Sequence, residues 1–474
     1  MKNKEYIVIS FMLTIFLFYG CATYYQKSYE FHQSFAAGNI EAAKSFLDKN
    51  IKAAEKKDRL LYFLDRGVVE QMLGNYQESN VYFEEAYLYH ENYRKNFSSD
   101  LLGMVSNPMV KPYKAEDFEA VLLHYYKAIN FIHLSDYDAA LVEVRRINIK
   151  LNEMNDAYLN KKNRYKEDAF ALNLMGVIYE AKGDINNAFI AYRNSYDAYK
   201  EIYSEEFGVE IPNQLKEDLL RTALLMGFRQ ELNRYEEEFG FKANEIAQEN
   251  GSMVFFWLNG LGPVKGEFSL NLSTSSNGNG FFTFANEAEG INIPYNTANA
   301  NTPNQSSDFS NLKFVRMAVP KYRSRAPFYS NAKVVFDSLS RVTVALEKAE
   351  NIERIAFTSL QDRMLREISK SIGRLAIKQA AEAALREQNE DLGSVLSVLN
   401  AVTEKADTRN WQTLPNSIYY SRVSLPAGNH KFKFITSQEN GAKDTLNYQV
   451  LIEAGRTSFK TFHSLESYPP ETFN

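Results

Sequence analysis

The sequence predicts a multidomain α+β protein in which an N-terminal α-helical solenoid precedes a β-sandwich with a long helical insertion. Three observations predict this class: a turn motif that recurs before residue 200, a change from helical to strand-like periodicity near residue 249, and a long amphipathic segment after residue 345. With 474 residues, 45% of them hydrophobic, the chain can form several packed cores and is too apolar for a disordered protein.

Charge, cysteine content and motifs exclude several classes of protein. Lys and Arg total 54 and Asp and Glu total 59, so a net charge of −5 offers no general attraction to nucleic acid. A single cysteine excludes internal disulfides and thiolate-based metal clusters. The sequence contains no phosphate-binding loop, no His-Glu-x-x-His and no Gly-x-Ser-x-Gly. We therefore predict no cofactor, no metal site and no catalytic residue.

The N-terminus has the features of a secretory signal. Two lysines precede a nearly unbroken apolar run, 7–19, which is too short to cross a bilayer as a helix. Gly20 directly before Cys21 resembles the cleavage site of bacterial lipoproteins. We predict that residues 1–20 are a lipoprotein signal peptide and that Cys21 is the site of lipid attachment.

Three neighbours of this cysteine refine the interpretation. Phe18 and Tyr19 depart from the usual lipoprotein box, so an ordinary signal peptide with an incidental cysteine is the alternative. Ala22 stands where an aspartate can retain lipoproteins at the inner membrane of some bacteria. The predicted location is therefore the cell envelope, with the chain anchored by lipid to the outer membrane and facing the periplasm.

Residues 21–248 are predicted to form helix pairs joined by similar turns. The turns are Gly38-Asn39, Gly74-Asn75, Ser135-Asp136 and Gly183-Asp184. Their spacings of 36, 61 and 48 residues include one near the tetratricopeptide period of about 34 residues. Glycine tolerates the left-handed conformation that ends a helix. The pattern looks like a tetratricopeptide array in which Ser135 departs from the glycine consensus.

The same array predicts where helices cross and where a partner could bind. Small residues, namely Ala42, Ala139 and Ala188, are expected where the second helix of a pair crosses the first. Stacked pairs leave a concave surface to which the first helices contribute. The aromatic residues that could line this surface, or else pack in the core, are Tyr82, Phe83, Tyr87 and Tyr89.

The strand-like half is predicted as an antiparallel β-sandwich of immunoglobulin-like type, with a first part at 249–345 and a second part at 406–474. The short apolar run 253–258 is typical of a central strand covered on both faces. Near the C-terminus Phe432 and Phe434 alternate with lysines, as expected for a half-buried strand. Turn signals rich in Gly, Asn and Pro separate these runs.

Two segments interrupt the predicted sandwich. Residues 273–311 are rich in Asn, Ser and Thr, which predicts a long exposed loop. Residues 346–405 are predicted as a helical insertion with an apolar stripe from Ile352 to Leu375. A helix lying on a membrane surface is the alternative, but its mixed charges favour packing on the sandwich or on the solenoid.

Residues 406–415 (Ala-Asp-Thr-Arg-Asn-Trp-Gln-Thr-Leu-Pro) and 425–428 (Leu-Pro-Ala-Gly) resemble the C-terminal signature of an uncharacterised family of bacterial envelope lipoproteins with tetratricopeptide-like N-terminal repeats. Two shorter stretches, 259–263 and 319–322, are similar to further parts of that family. The resemblance covers most of the chain and implies an envelope location and this order of domains. It transfers no catalytic residue, because the family carries no settled activity.

Two residues of the signature are candidate site residues. Asp407 and Arg409 could form an ion pair while Trp411 fills the junction of helix and strand. The alternative is that Arg409 and Trp411 bind a partner, because arginine and tryptophan often anchor interfaces.

The function predicted from these features is a membrane-anchored lipoprotein that acts as a non-enzymatic scaffold or adaptor for an envelope protein partner. A glycan-binding lipoprotein is one alternative, and an exposed Trp257 or Trp411 in a groove would favour it. An envelope hydrolase related to peptidoglycan is another, and it would need a cleft with convergent carboxylates or a Ser-His pair.

Overall fold

The computed structural model describes residues 24–96, 109, 111–157, 163–244, 249–278, 281–287, 291–296, 314–336, 342–388 and 405–472. These residues form helices followed by three β-sheets, which confirms the α+β class. Cys21 and the predicted signal peptide lie outside the described residues.

The N-terminal part consists of helices packed in consecutive pairs. The helices are α1 (Tyr24–Lys27), α2 (Tyr29–Ala36), α3 (Ile40–Lys49), α4 (Arg59–Met72), α5 (Tyr76–Asn96), α6 (Asp117–His133), α7 (Tyr137–Ala157), α8 (Ala169–Ala181), α9 (Ile185–Ala198), α10 (Ser204–Glu206), α11 (Asn213–Met226) and α12 (Arg229–Phe239). A 3₁₀ turn, Ile51–Glu55, and a π turn, Tyr199–Tyr203, complete this part. The pairs are α2–α3, α4–α5, α6–α7, α8–α9 and α11–α12. The prediction of tetratricopeptide-like helix pairs is confirmed.

The four predicted turns all adopt the left-handed conformation. The φ angles are 74° at Gly38, 81° at Gly74, 60° at Ser135 and 86° at Gly183. The side chains of Asn39, Asp136 and Asp184 then accept a hydrogen bond from the first turn of the following helix. A fifth pair, which the sequence did not predict, turns at Gly227 with a φ of 68°.

The small residues at the helix crossings differ partly from the prediction. Ala188 is fully buried as expected, but in the first and third pairs the fully buried residues are Ala43 and Ala140 rather than Ala42 and Ala139. All three buried alanines lie five residues after the left-handed residue of their turn. This position faces the first helix, because the helical period fixes which side chains point toward it.

In the described residues of the β half, twelve strands form three sheets. The strands are β1 (Asn250–Asn259), β2 (Val264–Gly278), β3 (Phe281–Asn286), β4 (Ile291–Asn296), β5 (Phe314–Arg323), β6 (Asn331–Phe336), β7 (Thr343–Ala345), β8 (Glu347–Asn351), β9 (Ser417–Pro426), β10 (Gly428–Ser437), β11 (Lys443–Ile452) and β12 (Thr457–Ser464). The first sheet has the order β12-β1-β9-β8, the second β11-β10-β6-β7 and the third β4-β3-β2-β5.

The first and second sheets face each other across a core rich in aromatic rings. The Phe255 ring lies 5.6 Å from Phe432, and the Phe434 ring stacks on Phe462 at 3.9 Å. Trp257 is fully buried in the same core. One pairing, β1 with β12, is parallel, so the sandwich is not purely antiparallel as predicted. The immunoglobulin-like type stays a prediction.

The segment 273–311 is not simply a loop. Its first part continues β2 and then forms β3 and β4, while residues 297–311 lie outside the described part of the chain. Phe282, Phe284 and Ile293 are buried at alternating positions. A few well-spaced apolar residues are enough here because only one face of the third sheet is covered. Strands β2–β5 therefore form a sheet of their own rather than part of the sandwich.

The helical insertion is largely a single helix, α13 (Ile352–Gln388). It begins later than predicted, because Glu347–Asn351 forms strand β8 at the edge of the first sheet. Its apolar stripe is buried in two places. Ile352 packs with the helical part, whereas Ile368 and Ile372 pack on the third sheet.

The helical and β halves share one core, so the boundary predicted at 248 does not separate two packing units. The outer face of the first sheet lies on the first helices of the pairs. The Phe170 ring of α8 lies 6.3 Å from Phe256 and 6.0 Å from Tyr420. The inner surface of the helix array is therefore covered by the chain itself.

Candidate functional site

Arg409 lies in the interior, where residues 405–416 cross the first helices. Its side chain is 1% exposed. Its guanidinium donates from Nη2 to Asp407 at 2.7 Å and from Nη1 to Asp58 of the helical half at 2.8 Å. The predicted ion pair with Asp407 is present, and Asp58 is a second partner that the sequence did not predict.

Trp411 is buried between the two halves. Its backbone N–H donates to Glu119 at 2.6 Å, and its ring lies 5.5 Å from Tyr126 and 6.0 Å from Phe83. Its indole N–H donates to Thr413 at 2.7 Å. Both side chains are about 1% exposed and join elements far apart in sequence, in agreement with their structural interpretation. Partner binding by Arg409 and Trp411 stays a prediction.

The aromatic residues predicted for a concave surface follow the core-packing alternative. Phe83 is fully buried, and Tyr82, Tyr87 and Tyr89 pack partly buried against the same core. Both tryptophans are buried as well. The exposed tryptophan that would favour glycan binding is therefore not found.

A buried carboxyl pair joins α6 to the β half. Glu116 accepts a hydrogen bond from Lys265 at 2.5 Å and pairs with Arg363. Burial raises its pKa, but these two cations outweigh burial and leave the pKa lowered. Burial, followed by the charge of Glu116, raises the pKa of Glu119 to about 7. The second carboxyl is therefore partly protonated near neutral pH while it holds the Trp411 backbone.

A second buried pair, Asp168 and Glu350, joins α8 to β8. Burial raises the pKa of both carboxyls. The charge of Asp168 raises the pKa of Glu350 further, whereas the hydrogen bond with Glu350 opposes the rise in the pKa of Asp168. Tyr165 donates to Asp168 at 2.7 Å, and Tyr203 donates to Glu350 at 3.3 Å. These carboxyls with altered pKa values are buried between elements, where their hydrogen bonds join one part of the chain to another.

A cleft of about 1580 Å³ opens where the helical half, the sandwich and α13 meet. One wall is the N-terminal half of α13 from Glu353 to Leu365. The opposite wall comes from the end of β5 and the following residues 324–330. The rim is completed by the turn 438–440 and by Tyr468 near the C-terminus.

Apolar side chains are exposed along this cleft. Phe357 is 37% exposed, Tyr468 is 52% exposed and Leu365 is 59% exposed. The Phe328 ring lies 5.4 Å from Tyr468, so the two form an aromatic pair at the rim. Exposed apolar groups around a concave opening are the usual mark of a binding site.

Arg164 fixes the cleft wall to the helical half. Its Nε donates to Asp362 at 2.7 Å, and its Nη2 donates to Gln361 at 2.9 Å. Both acceptors lie on α13, 197 and 198 residues away in sequence. This clamp holds the wall in place, which preorganises the opening for a ligand.

Lys348 supplies a cation inside the cleft. Its ammonium lies 5.7 Å from the centre of the Tyr419 ring, and burial lowers its pKa while the charge of Glu353 opposes that shift. The Glu353 carboxylate accepts a hydrogen bond from Asn416. Among the described residues, no carboxylate lies within ion-pair distance of Lys348, so its charge is available to an acidic group of a ligand.

The cleft residues were missed by sequence reasoning. They come from α13, β5, β8 and the C-terminus, and no local motif unites them. Of the stretches that resemble the lipoprotein family, 319–322 reaches the cleft through Lys321 and Tyr322. In the part of the chain that the structure describes, no group of three or more His, Cys, Asp or Glu could hold a metal ion. None of the described helices combines the length and apolarity of a membrane span.

No family model matches the chain, and no curated protein matches it. Its helical part is similar to solved structures. MamA 41-end from Desulfovibrio magneticus RS-1 is 16% identical, with 45% of this chain and 89% of that chain covered and a TM-score of 0.29. YrrB, described as a TPR protein with an unusual peptide-binding site, is 14% identical, with 45% and 82% covered and a TM-score of 0.28. The repeat assignment rests on the helix pairs themselves rather than on these superpositions.

Proposed function

We propose that this chain is a membrane-anchored lipoprotein of the bacterial envelope that acts as a non-enzymatic scaffold and binds an extended segment of a protein partner in the cleft. The observation that carries the proposal is the exposed apolar rim of the cleft, formed by Phe357, Leu365 and Tyr468. The inner surface of the helix array, where a partner was first expected, is occupied by the first sheet.

The size and lining of the cleft favour a polypeptide segment over a small molecule. Sites for small ligands enclose about 300–1000 Å³, whereas this cleft measures about 1580 Å³. Asn351, Gln361 and Gln438 line it beside the apolar groups. Amide side chains can both donate to and accept from a peptide backbone. Lys348 would attract an acidic side chain of the same segment.

Site-specific photocrosslinking in intact cells tests this binding. The photoreactive residue p-benzoylphenylalanine would replace Phe357 in the cleft. Ile51, which is more exposed than Phe357 and lies in the helical half away from the cleft, serves as the control position. We expect a discrete protein adduct from position 357 and none from position 51. The proposal fails if both positions give the same adducts or if position 357 gives none.

Glycan binding is the second candidate, and the aromatic pair Phe328–Tyr468 beside amide side chains favours it. Sugar rings stack on aromatic faces, and amides bond their hydroxyl groups. Binding of purified envelope oligosaccharides, measured calorimetrically for the wild type and for Tyr468→Ala, separates the candidates. A glycan site would lose affinity in the variant, whereas a protein site would show no oligosaccharide binding at all.

The anchor is supported by the sequence around Cys21 and by the position of the first described residues. Tyr25, four residues later, donates from its hydroxyl to the Asn410 carbonyl at 2.9 Å. A lipid on Cys21 would therefore hold the folded body close to the membrane, because four residues span at most about 14 Å.

Metabolic labelling tests the anchor. We expect labelled palmitate to enter the wild-type chain and to be lost in Cys21→Ser, with the wild-type protein recovered in the outer-membrane fraction. Label that persists in the serine variant would contradict the assignment of Cys21.

A further inference from the structure

Strand β11 forms one free edge of the second sheet. It pairs with β10 over its whole length, and no other described strand pairs with its outer side. Leu446 and Leu451 are each more than half exposed on this strand. An edge strand presents a row of backbone N–H and C=O groups that can pair with another strand.

The other sheet edges in the described part of the chain are protected. Strand β8 is covered by the helical half, where Tyr199 donates to the Ala349 carbonyl at 2.7 Å. Strand β12 carries Lys460 in its middle and packs on α7 through Phe459. Strand β7 has only three residues. Strand β4 contains Pro294, and β5 contains both proline and basic residues.

Strand β11 carries charge only at its first two residues, Lys443 and Asp444, and none along the rest of its length. Residues 445–452 (Thr-Leu-Asn-Tyr-Gln-Val-Leu-Ile) contain no charge, no proline and no glycine. Charged or proline residues are the usual means by which proteins prevent edge pairing. Asp444, just before this run, accepts a hydrogen bond from Tyr329 within the chain. The uncharged run therefore leaves its outer edge open to a strand of matching pattern.

The strand is complementary to itself in one antiparallel register. If Tyr448 lies opposite Tyr448 of a second copy, Lys443 lies opposite Glu453, and their charges are opposite. In the same register Leu446 faces Val450 toward the sandwich interior, and Thr445 faces Leu451 on the outer side. Both flanking charges, Lys443 and Glu453, are exposed. Opposite charges and apolar pairs directly across strands stabilise such pairing.

We propose that two copies of this chain associate through antiparallel pairing of their β11 strands, centred on Tyr448. The pairing joins two four-stranded sheets into one continuous eight-stranded sheet. This association is independent of the proposed cleft ligand. If both copies are held in the same membrane, their confinement raises the effective concentration and favours the pairing.

Charge substitutions at Thr445 and Leu451 test both the pairing and its register. Both side chains are exposed, and their neighbours on β10 are Ile435 and Asn429, which are uncharged. In the proposed register T445K/L451K places lysines opposite each other and T445E/L451E places glutamates opposite each other. T445K/L451E places a lysine opposite a glutamate twice. All three variants lose the same threonine and leucine and differ in charge alone. The two like-charged variants shift the net charge in opposite directions, so a loss of dimer common to both reports the pairing rather than the sign of the added charge.

The measurement is sedimentation equilibrium of the full chain in a detergent whose density is matched by the buffer. We expect the wild type to show a reversible monomer–dimer equilibrium. The T445K/L451E dimer should form at least about tenfold more tightly than the dimers of both like-charged variants. Thermal unfolding of each variant should match the wild type. A monomeric wild type at every concentration, or equal dissociation constants for the three variants, would overturn the proposal.

Discussion

Gly176 on α8 marks the closest approach between the two helices of the fourth pair. A Cβ atom at this position would lie 2.5 Å from the ring of Tyr192 on α9. That ring cannot move aside easily, because its hydroxyl donates to Glu180 at 2.8 Å and accepts from Arg422 at 3.1 Å. The position therefore requires glycine for packing, although its backbone is helical.

We expect Gly176→Ala to lower the free energy of unfolding by about 1–2 kcal/mol, because overpacking outweighs the better helix propensity of alanine. Gly373→Ala is the matched control, since nothing lies within 4 Å of a Cβ atom at Gly373 in α13. That substitution should leave stability unchanged or raise it by up to about 1 kcal/mol. Urea unfolding of both variants checks the pair, and equal destabilisation of both would contradict the packing argument.

The conformation or contact of a single residue could be predicted from the sequence where it depends on neighbouring residues. The left-handed turn at Ser135 was predictable because it depends on a few neighbouring residues that repeat along the chain. The ion pair of Arg409 with Asp407 was predictable for the same reason. Its second partner, Asp58, lies 351 residues away. No pattern within one segment indicates such a contact, and the same holds for the cleft residues.

Between elements, the contact of α6 with Trp411 depends on the protonation of Glu119. The pKa of this carboxyl is about 7 in the folded chain, raised from an ordinary value of 4.5. The folded state therefore binds a proton more tightly than the unfolded state. This contribution to stability is fully present below pH 4.5 and is lost as the pH rises to about 7.

Between pH 5 and pH 8 we expect the wild type to lose stability relative to Glu119→Gln, because only the wild type carries the Glu119 carboxyl. The glutamine amide cannot titrate. Because it also loses the hydrogen bond from the Glu116 N–H, the variant should be less stable than the wild type at both pH values. Guanidinium unfolding midpoints at the two pH values provide the measurement. An unchanged pH dependence in the variant would show that Glu119 is not responsible.

The third sheet shows why element prediction failed in one region. Composition alone indicated a loop at 273–311, because polar residues dominate there. The strands form because Phe282, Phe284 and Ile293 alternate at the period of two and meet α13. The covering residues Ile368 and Ile372 lie 75 or more residues further along the chain, so the reason for the sheet was not visible within the segment itself. The long helix α13, by contrast, could be predicted because its apolar stripe lies within its own sequence.

For the whole molecule, the shared core joins the two halves into one unit. The helices bury their inner surface only against the first sheet and residues 405–416. Without the β half this apolar surface would be exposed to water, and the loss of its burial would be large compared with the marginal stability of proteins. The order of the helical and β halves was predictable from the periodicity. The dependence of the helical half on the β half for burial of its inner surface was not.

We expect the helical and β halves to unfold in one cooperative transition. Trp257 is buried in the sandwich core and Trp411 lies between the two halves. In Trp411→Phe the remaining tryptophan fluorescence therefore monitors the β half, whereas circular dichroism at 222 nm monitors mainly the helices. The two signals should give coincident denaturation curves. Separate midpoints would mean that the halves are independent domains.

The parallel pairing of β1 with β12 also affects how the chain matures. Strand β1 lies between β9 and β12, so the first sheet cannot be completed until residues 457–464 are in place. The chain is synthesised from its amino terminus, so the helices can form before the first sheet that covers them is complete. The chain therefore passes through an intermediate whose apolar helix surface stays exposed until the last strand docks.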